Sequence, residues 1–221
     1  MPAFAGAFMV TPVRVALSSA QPIVALTVRN DSSDATVVQI DMTTWSQEAG
    51  KDVHAATRDV IATPPIFTVP PGATQVVRVG LRRSADAERE LAYRLFLQEV
   101  PPPPKAEFKG LRVALRMSIP VFVAPPLAAA PALEWRAVRE AQGWLNVALR
   151  NTGKAHVQIA EFHLERADGK ELARQASSAY VLPGQRRDWR LKGEAVPGEL
   201  LRILARTDAG DMRAEVPVDS R

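Results

Sequence analysis

The residues that most often carry out chemistry in proteins are few and scattered in this sequence. Its three histidines, His54, His156 and His163, form no HExxH motif, and the sequence has no glycine-rich phosphate loop or nucleophile elbow. Residues 168–170 and 208–211 combine Asp and Gly as hairpin turns do, without the ligand spacing and final Glu of an EF-hand. The sequence therefore predicts a protein that is not an enzyme and implies no cofactor or metal.

Residues 111–119 offer a different chemistry, the binding of another polypeptide. Apolar residues alternate there with polar or small ones, which predicts a strand with one apolar face. The prolines at 101–104 cannot pair inside a sheet, so we expect this strand at or near a sheet edge. An ordinary half-buried strand has the same alternation, and the pattern alone leaves both interpretations open. The apolar positions are Leu111, Val113, Leu115, Met117 and Ile119, of which Ile119 is expected nearer the domain's own core.

Length and composition favour two all-β domains. The chain of 221 residues is long enough for two domains of about 100 residues, each with its own core. Hydrophobic residues make up 47% and charged residues 24%, and the 18 prolines and 12 glycines favour turns over long helices. A stretch of prolines and small residues, 124–131, is typical of a linker. We therefore predict domains at 1–124 and 125–221, with no internal repeat apparent at the residue level.

The charge distribution argues against nucleic-acid binding, and the hydropathy argues against stable membrane insertion. The net charge is only +4 and the arginines are spread along the chain, whereas nucleic-acid binding usually needs a concentrated basic face. No apolar run approaches the roughly 20 residues that span a bilayer. The N-terminus shows no evident signal peptide, although Ala3 and Ala5 are compatible with the end of one as well as with a plain terminus. The absence of cysteine leaves the redox compartment open.

Turn signals divide the chain into short strands. Residues 8–17 predict a first strand that Pro12 breaks, and residues 23–30 predict the next. The polar cluster 30–34 then predicts a hairpin into a strand at 37–45. In the second half we expect short strands at 135–138, 143–149, 156–166, 178–181, 187–191, 200–206 and 213–218.

One long motif with fixed spacing resembles a known family. Residues 61–67 (IATPPIF), 69–72 (VPPG) and 75–78 (QVVR) are similar to the signature of the periplasmic chaperones of the chaperone-usher pilus pathway. Residues 93–101 resemble the strand before that family's donor strand, and the resemblance runs from about residue 8 to residue 126. It implies two immunoglobulin-like β-sandwich domains joined at an angle and a cis Thr63–Pro64 bond.

The resemblance also implies a function. Such a chaperone lends a strand to a pilin or fimbrial subunit whose fold lacks one, and passes the subunit to an outer-membrane usher; this donor-strand complementation is an established example of β-strand addition. The implied location is the periplasm, with the signal peptide removed or truncated. The implied subunit-binding side chains are Leu111, Val113, Leu115 and Met117, each worth roughly 1.5 to 3 kcal/mol when fully buried. Whether the free protein shields this strand by dimerising stays open.

Two cations bind the subunit's terminal carboxylate in the resembled family. Arg14 matches the first, and a guanidinium suits a carboxylate through two parallel hydrogen bonds. The second is normally a lysine, but Pro120 occupies that position and carries no charge. We propose Arg94 as its substitute, because Arg94 precedes the apolar run of a strand expected beside residues 111–121. This departure looks more like the archaic branch of the family, which serves spore-coat-U-type subunits.

A second function is compatible with the same residues. A structural or adhesive protein with two sandwich domains would use an exposed edge strand to associate with its own copies. The pattern of residues 111–119 is compatible with both functions. They differ only in what pairs with the strand, which is a subunit in one and a second copy of this chain in the other.

Overall fold

The computed structural model describes residues 8–101, 113–176 and 178–220. It divides into two compact units, one of Met1–Ser46, Val53–Ala87 and Leu91–Pro126, the other of Gln47–Asp52, Glu88–Glu90 and Leu127–Arg221. Among the described residues there is no α-helix and only one 3₁₀ turn, at Ala141–Gly143. The predicted all-β class is confirmed, and the boundary at residue 124 stays a prediction.

The first unit is built from two sheets around one core, except that the adjoining ends of β4 and β5, within Gln47–Asp52, belong to the second unit. The strands are β1 (Phe8–Thr11), β2 (Val15–Leu17), β3 (Ile23–Asn30), β4 (Thr36–Glu48), β5 (Lys51–Ala56), β6 (Val60–Thr63), β7 (Ile66–Val69), β8 (Thr74–Leu81), β9 (Leu91–Glu99) and β10 (Arg116–Val123). One sheet has the order β1-β3-β8-β6, and the other has the order β2-β10-β9-β4-β5, with β7 paired to β4. Alternate side chains of both sheets form a single buried cluster, as period-two strands require.

Two prolines lie where the chain passes from one sheet to the other. Thr11–Pro12 separates β1 from β2, and Thr63–Pro64 separates β6 from β7; both bonds are cis. The cis Thr63–Pro64 bond implied by the resemblance is confirmed, and the one at Thr11–Pro12 was not predicted. The strand expected at 8–17 is therefore two strands in two different sheets.

The hairpin predicted after residue 30 is wrong. β3 lies in the four-stranded sheet and β4 in the other, so the segment between them crosses from one layer to the next. Asn30 holds this crossing: its side-chain amide donates to the carbonyls of Asp34 (2.7 Å) and Val69 (2.9 Å), and its oxygen accepts the N–H of Ser32 (2.9 Å). A turn cluster in the sequence marks a change of direction without stating which strand is met next.

The second unit contains eight described strands around a second core. They are β11 (Leu133–Glu140), β12 (Trp144–Asn151), β13 (Val157–Glu165), β14 (Glu171–Gln175), β15 (Ala179–Val181), β16 (Arg186–Lys192), β17 (Leu200–Thr207) and β18 (Gly210–Asp219). β16-β12-β11 form one layer and β14-β13-β17-β18 the other, with a short parallel pairing of β11 and β18 joining them. Trp135 packs on Phe162 across the layers, with ring centroids 5.1 Å apart.

Strand β14 was not predicted from the sequence. Its residues Glu171–Gln175, ELARQ, include good helix formers and no β-branched residue. Pairing with β13 overrides this local preference, since the strand lies at the edge of its sheet and buries only Ala173.

A buried asparagine in the second unit makes the same pattern of hydrogen bonds as Asn30 in the first. Asn151, also fully buried, donates to the carbonyls of Ala155 (2.8 Å) and Val181 (3.1 Å) and accepts the N–H of Gly153 (3.0 Å). Val69 and Val181 each begin a Val-x-Pro-Gly turn. The glycine N–H of that turn donates to the backbone carbonyl of the asparagine, Gly72 to Asn30 and Gly184 to Asn151. The two units therefore share a structural repeat that is not apparent at the residue level, because only a few residues carry it.

Candidate functional site

Within the described residues, strand β10 has a partner along its whole length on one side and a short partner on the other. β9 pairs with it from Arg116 to Val123, whereas β2 pairs in parallel only with Val121–Val123. Among the described residues, no strand lies on that second side of Arg116–Ile119. A strand edge of this kind presents unpaired backbone N–H and C=O groups to another chain.

The apolar side chains before and within β10 become less buried toward its beginning. Ile119 is buried in the core, as expected, while Met117 and Leu115 are partly buried and pack against it. Val113 is 57% exposed. Leu111, the remaining apolar side chain predicted to bind a subunit, lies outside the described residues. The described positions thus form a graded apolar row that continues from the core to the surface.

The regular strand begins later than the sequence predicts. Among the described residues of 111–119, β10 starts at Arg116, and Val113 forms only an isolated bridge. Glu99 explains this difference: its backbone N–H donates to the carbonyl of Leu115 (2.9 Å), but the N–H of Leu115 donates to the Glu99 side-chain carboxylate (3.2 Å). Because a side chain replaces the backbone acceptor, the β9–β10 ladder stops there.

Arg94 lies on the opposite face of the same sheet and is held in place by an indole ring. The ladder sets Arg94 directly across from Pro120, next to β10 as the sequence predicted. Its guanidinium carbon is 3.6 Å from the ring centroid of the buried Trp45, a cation–π contact. Trp45 in turn contacts Phe122, with centroids 5.8 Å apart. Arg94 is therefore a half-buried, oriented cation.

Arg14 approaches Pro120 from the other neighbouring strand. It is exposed and immediately precedes Val15, which pairs with Val121. The register therefore brings Arg94, on β9, and Arg14, just before β2, to the level of Pro120, with backbones about 10 Å apart. The structure gathers the two predicted cations around the position that lacks one, and their binding of a carboxylate stays a prediction.

A second stacked arginine near this site was not singled out from the sequence. The guanidinium of Arg116 lies 4.3 Å from the ring centroid of Phe96, and His54 meets the same ring edge-on at 5.5 Å. Arg116 occupies the same face of β10 as Pro120, four residues earlier. The alternation of residues 111–119 could have revealed this placement, since it assigns both side chains to one face.

A buried phenol fixes β9 from the core side. The Tyr93 hydroxyl donates to Asp59 (3.2 Å), which also pairs with Arg83 (3.2 Å). Burial, followed by the charge of Asp59, raises the pKa of Tyr93 from 10.0 to about 12. At neutral pH this phenol is protonated and donates its hydrogen bond, which anchors β9 beside β10.

The histidines do not form a chemical site in the part of the chain described. In the second unit, His156 Nδ1 lies 2.6 Å from Glu90 Oε1, and its Nε2 lies 3.4 Å from Asp208 Oδ2. No group of three or more His, Cys, Asp or Glu side chains that could hold a metal ion occurs among the described residues. None of the described helical segments is long and apolar enough to cross a lipid bilayer.

Comparison with known protein families identifies a match over the first half of the chain. The model of the family "Pili and flagellar-assembly chaperone, PapD N-terminal domain" matches residues 7–128. None of the curated protein sequences matches the chain.

Several solved structures share the fold over nearly the whole chain. A chain of the CsuC–CsuE chaperone–tip adhesion subunit complex, from the archaic chaperone-usher Csu pili of Acinetobacter baumannii, has a TM-score of 0.73 at 19% identity, covering 96% of this chain and 99% of that one. The E. coli chaperone DraB has a TM-score of 0.66 at 20% identity, with coverages of 97% and 98%. The Pseudomonas aeruginosa CupB2 chaperone has 0.62 at 19%, with coverages of 95% and 100%. The predicted pair of immunoglobulin-like sandwiches is confirmed.

Proposed function

Because the chain belongs to the family of periplasmic pili- and flagellar-assembly chaperones, whose model matches residues 7–128, we propose that it binds pilus or fimbrial subunits by donor-strand complementation. The half-open edge of β10 carries this proposal. In it, the subunit's incomplete sheet pairs with the backbone of Arg116–Ile119, and the chaperone delivers the subunit to an outer-membrane usher. The proposal involves no catalysis and no cofactor.

The apolar row supplies the second part of the interaction. Pairing along the strand edge gives main-chain hydrogen bonds, and side chains on alternate positions fill the subunit's open groove. Val113 contributes most among the described positions, because it is the most exposed and gains the largest burial. Leu115 and Met117 are already half-covered, so each contributes less than the roughly 1.5 to 3 kcal/mol of a fully buried side chain.

Arg14 and Arg94 serve as the register anchor in this proposal. A slip of one residue would turn every apolar side chain away from the groove, so the subunit's end needs a fixed point. Because the contact with Trp45 already restricts the Arg94 side chain, Arg94 binds a carboxylate with little further loss of side-chain entropy. Two guanidinium groups, one on each side of Pro120, replace the usual arginine–lysine pair.

We assign the chain to the archaic branch that serves spore-coat-U-type subunits. Pro120 supports this assignment, since it removes the lysine of the better-known branch. The fold similarity to the archaic CsuC–CsuE complex agrees with it. A subunit of that class, co-expressed with this chain, is the natural test partner.

The experiment compares two valine-to-glutamate variants. Val113→Glu places a charge where the subunit groove would bury it, and burial without a partner is costly. Val76→Glu is the matched control, because Val76 is 41% exposed on the other sheet of the same unit. Each variant is co-expressed with the candidate subunit, and the recovered subunit is quantified after purification on the chaperone.

We expect Val113→Glu to lose the subunit and Val76→Glu to retain it, with both proteins folded by circular dichroism. Leu115→Glu is expected to lose the subunit as well. Equal recovery with Val113→Glu and the wild type would contradict the proposal. A free protein that sediments as a dimer, and that Val113→Glu makes monomeric, would instead support self-association through the same edge.

A further inference from the structure

Arg116 is an exposed cation that forms no ion pair within the described part of the chain. It stacks on Phe96 at 4.3 Å. Two acids of the same sheet have other partners: Glu99 accepts the N–H of Leu115, and Asp41 accepts a hydrogen bond from Gln39 at 3.4 Å. Phe96 lies on β9, so the guanidinium turns from this ring to the open side of β10 to meet another chain, and the ring contact uses none of its N–H donors.

Arg116 also lies at a defined distance from the proposed carboxylate anchor. Arg116 and Pro120 share one face of β10, because their separation of four residues is even. At about 3.3 Å per residue they are about 13 Å apart along the strand. Arg116 thus marks the outer end of the open edge and Pro120 its inner end.

The direction of the bound subunit strand follows from these two points. If its C-terminal carboxylate lies at Pro120, the strand must come along the edge from Arg116, and it therefore runs parallel to β10. Paired strands advance by the same rise, so the subunit residue at Arg116 is the fourth before its last residue. Its side chain shares a face with that of the last residue and with Arg116.

We propose that Arg116 is a specificity-determining residue that selects subunits with Asp or Glu four positions before their C-terminal residue. This inference rests on the proposed function. The guanidinium binds the acidic side chain while Arg14 and Arg94 bind the terminal carboxylate, so the subunit is held at two charged points about 13 Å apart. A subunit with a basic residue at that position is rejected by like charge.

The test uses two synthetic 15-residue peptides of alternating apolar and polar residues, each with a free C-terminal carboxylate. They differ only in Glu or Gln at the fourth position before the last residue. Calorimetry measures the dissociation constants with the full chain. We expect the Glu peptide to bind the wild type about two- to fivefold more tightly, as for an exposed ion pair, and the ratio to shrink at high salt.

Variants test whether the preference for the Glu peptide depends on the charge of Arg116 rather than on the fold. Arg116→Gln is expected to bind both peptides equally, and Arg116→Lys to keep part of the preference. Arg78→Gln, which removes an exposed arginine from the other sheet, is the control and should keep the wild-type ratio. Equal binding of the two peptides by the wild type would overturn this inference alone. If neither peptide binds, the donor-strand proposal fails together with it.

Discussion

Replacing Asn30 by aspartate tests whether one side-chain amide holds the two sheets of the first unit in register. The substitution changes almost no volume. It keeps an oxygen that accepts from Ser32, but removes the amide N–H groups that donate to Asp34 (2.7 Å) and Val69 (2.9 Å). It also places a carboxylate at a fully buried position between two carbonyl oxygens.

The magnitude follows from these contacts. Each lost hydrogen bond costs about 1 kcal/mol, and the loss of a donor at the buried Val69 carbonyl costs about as much again, whereas the Asp34 carbonyl keeps the Ser32 hydroxyl as a donor at 2.8 Å. Burial of an unpaired carboxylate adds to this, so we expect Asn30→Asp to lower the free energy of unfolding of the first unit by at least about 3 kcal/mol at pH 7. Acidification below about pH 4 should recover part of the loss, because the protonated carboxyl regains one donor.

Hydrogen exchange with mass spectrometry is the appropriate assay, since a two-unit chain need not unfold in a single step. Asn30→Asp should lower protection in β3, β4 and β7 and leave β11–β18 nearly unchanged, whereas the matched Asn151→Asp should do the reverse. A loss below about 1 kcal/mol, or equal loss in both units, would refute the assignment of a local structural role to each asparagine.

Three further predictions concern the phenol, a close backbone approach and the carboxylate anchor. Because the pKa of Tyr93 rises from 10.0 to about 12, the folded state keeps a proton that the unfolded state loses, and stability falls as the pH rises through this range. The loss of unfolding free energy should reach about 1.4 kcal/mol at pH 11 and be absent in Tyr93→Phe, as urea titrations at pH 8 and pH 11 would show; an equal loss in the wild type and the variant would contradict the role of burial and Asp59. Gly153→Ala should cost about 1 to 3 kcal/mol, because a Cβ would lie 2.4 Å from the carbonyl oxygen of Ala130; an unchanged melting temperature would disprove the clash. Arg14→Ala should weaken subunit binding by about tenfold, and a wild-type dissociation constant would remove Arg14 from the site.

The local features of the sequence were sufficient for the class of the fold and for the family. Alternation predicted most strands, and proline and glycine signals predicted the turns between them, because both act within a few residues. The proline-containing motif at residues 61–78 led to the family and to the cis Thr63–Pro64 bond. The same alternation identified residues 111–119 as the candidate binding strand.

Tertiary structure alone decided which strands meet. The sequence predicted a hairpin at residues 30–34 where the chain crosses between sheets, because a turn cluster carries no information on the partner strand. It missed β14, since pairing with β13 overrides a weak local preference for helix.

The candidate site also has features that the sequence predicted and features that only the tertiary structure shows. Sequence alone named Arg14, Arg94 and the apolar row, because residue type and spacing along one strand suffice for that. The limited reach of β2, the capture of the Leu115 N–H by Glu99 and the stacking of Arg94 on Trp45 join residues distant in the chain. Such contacts depend on how strands from different parts of the sequence pack together, and no local pattern encodes them.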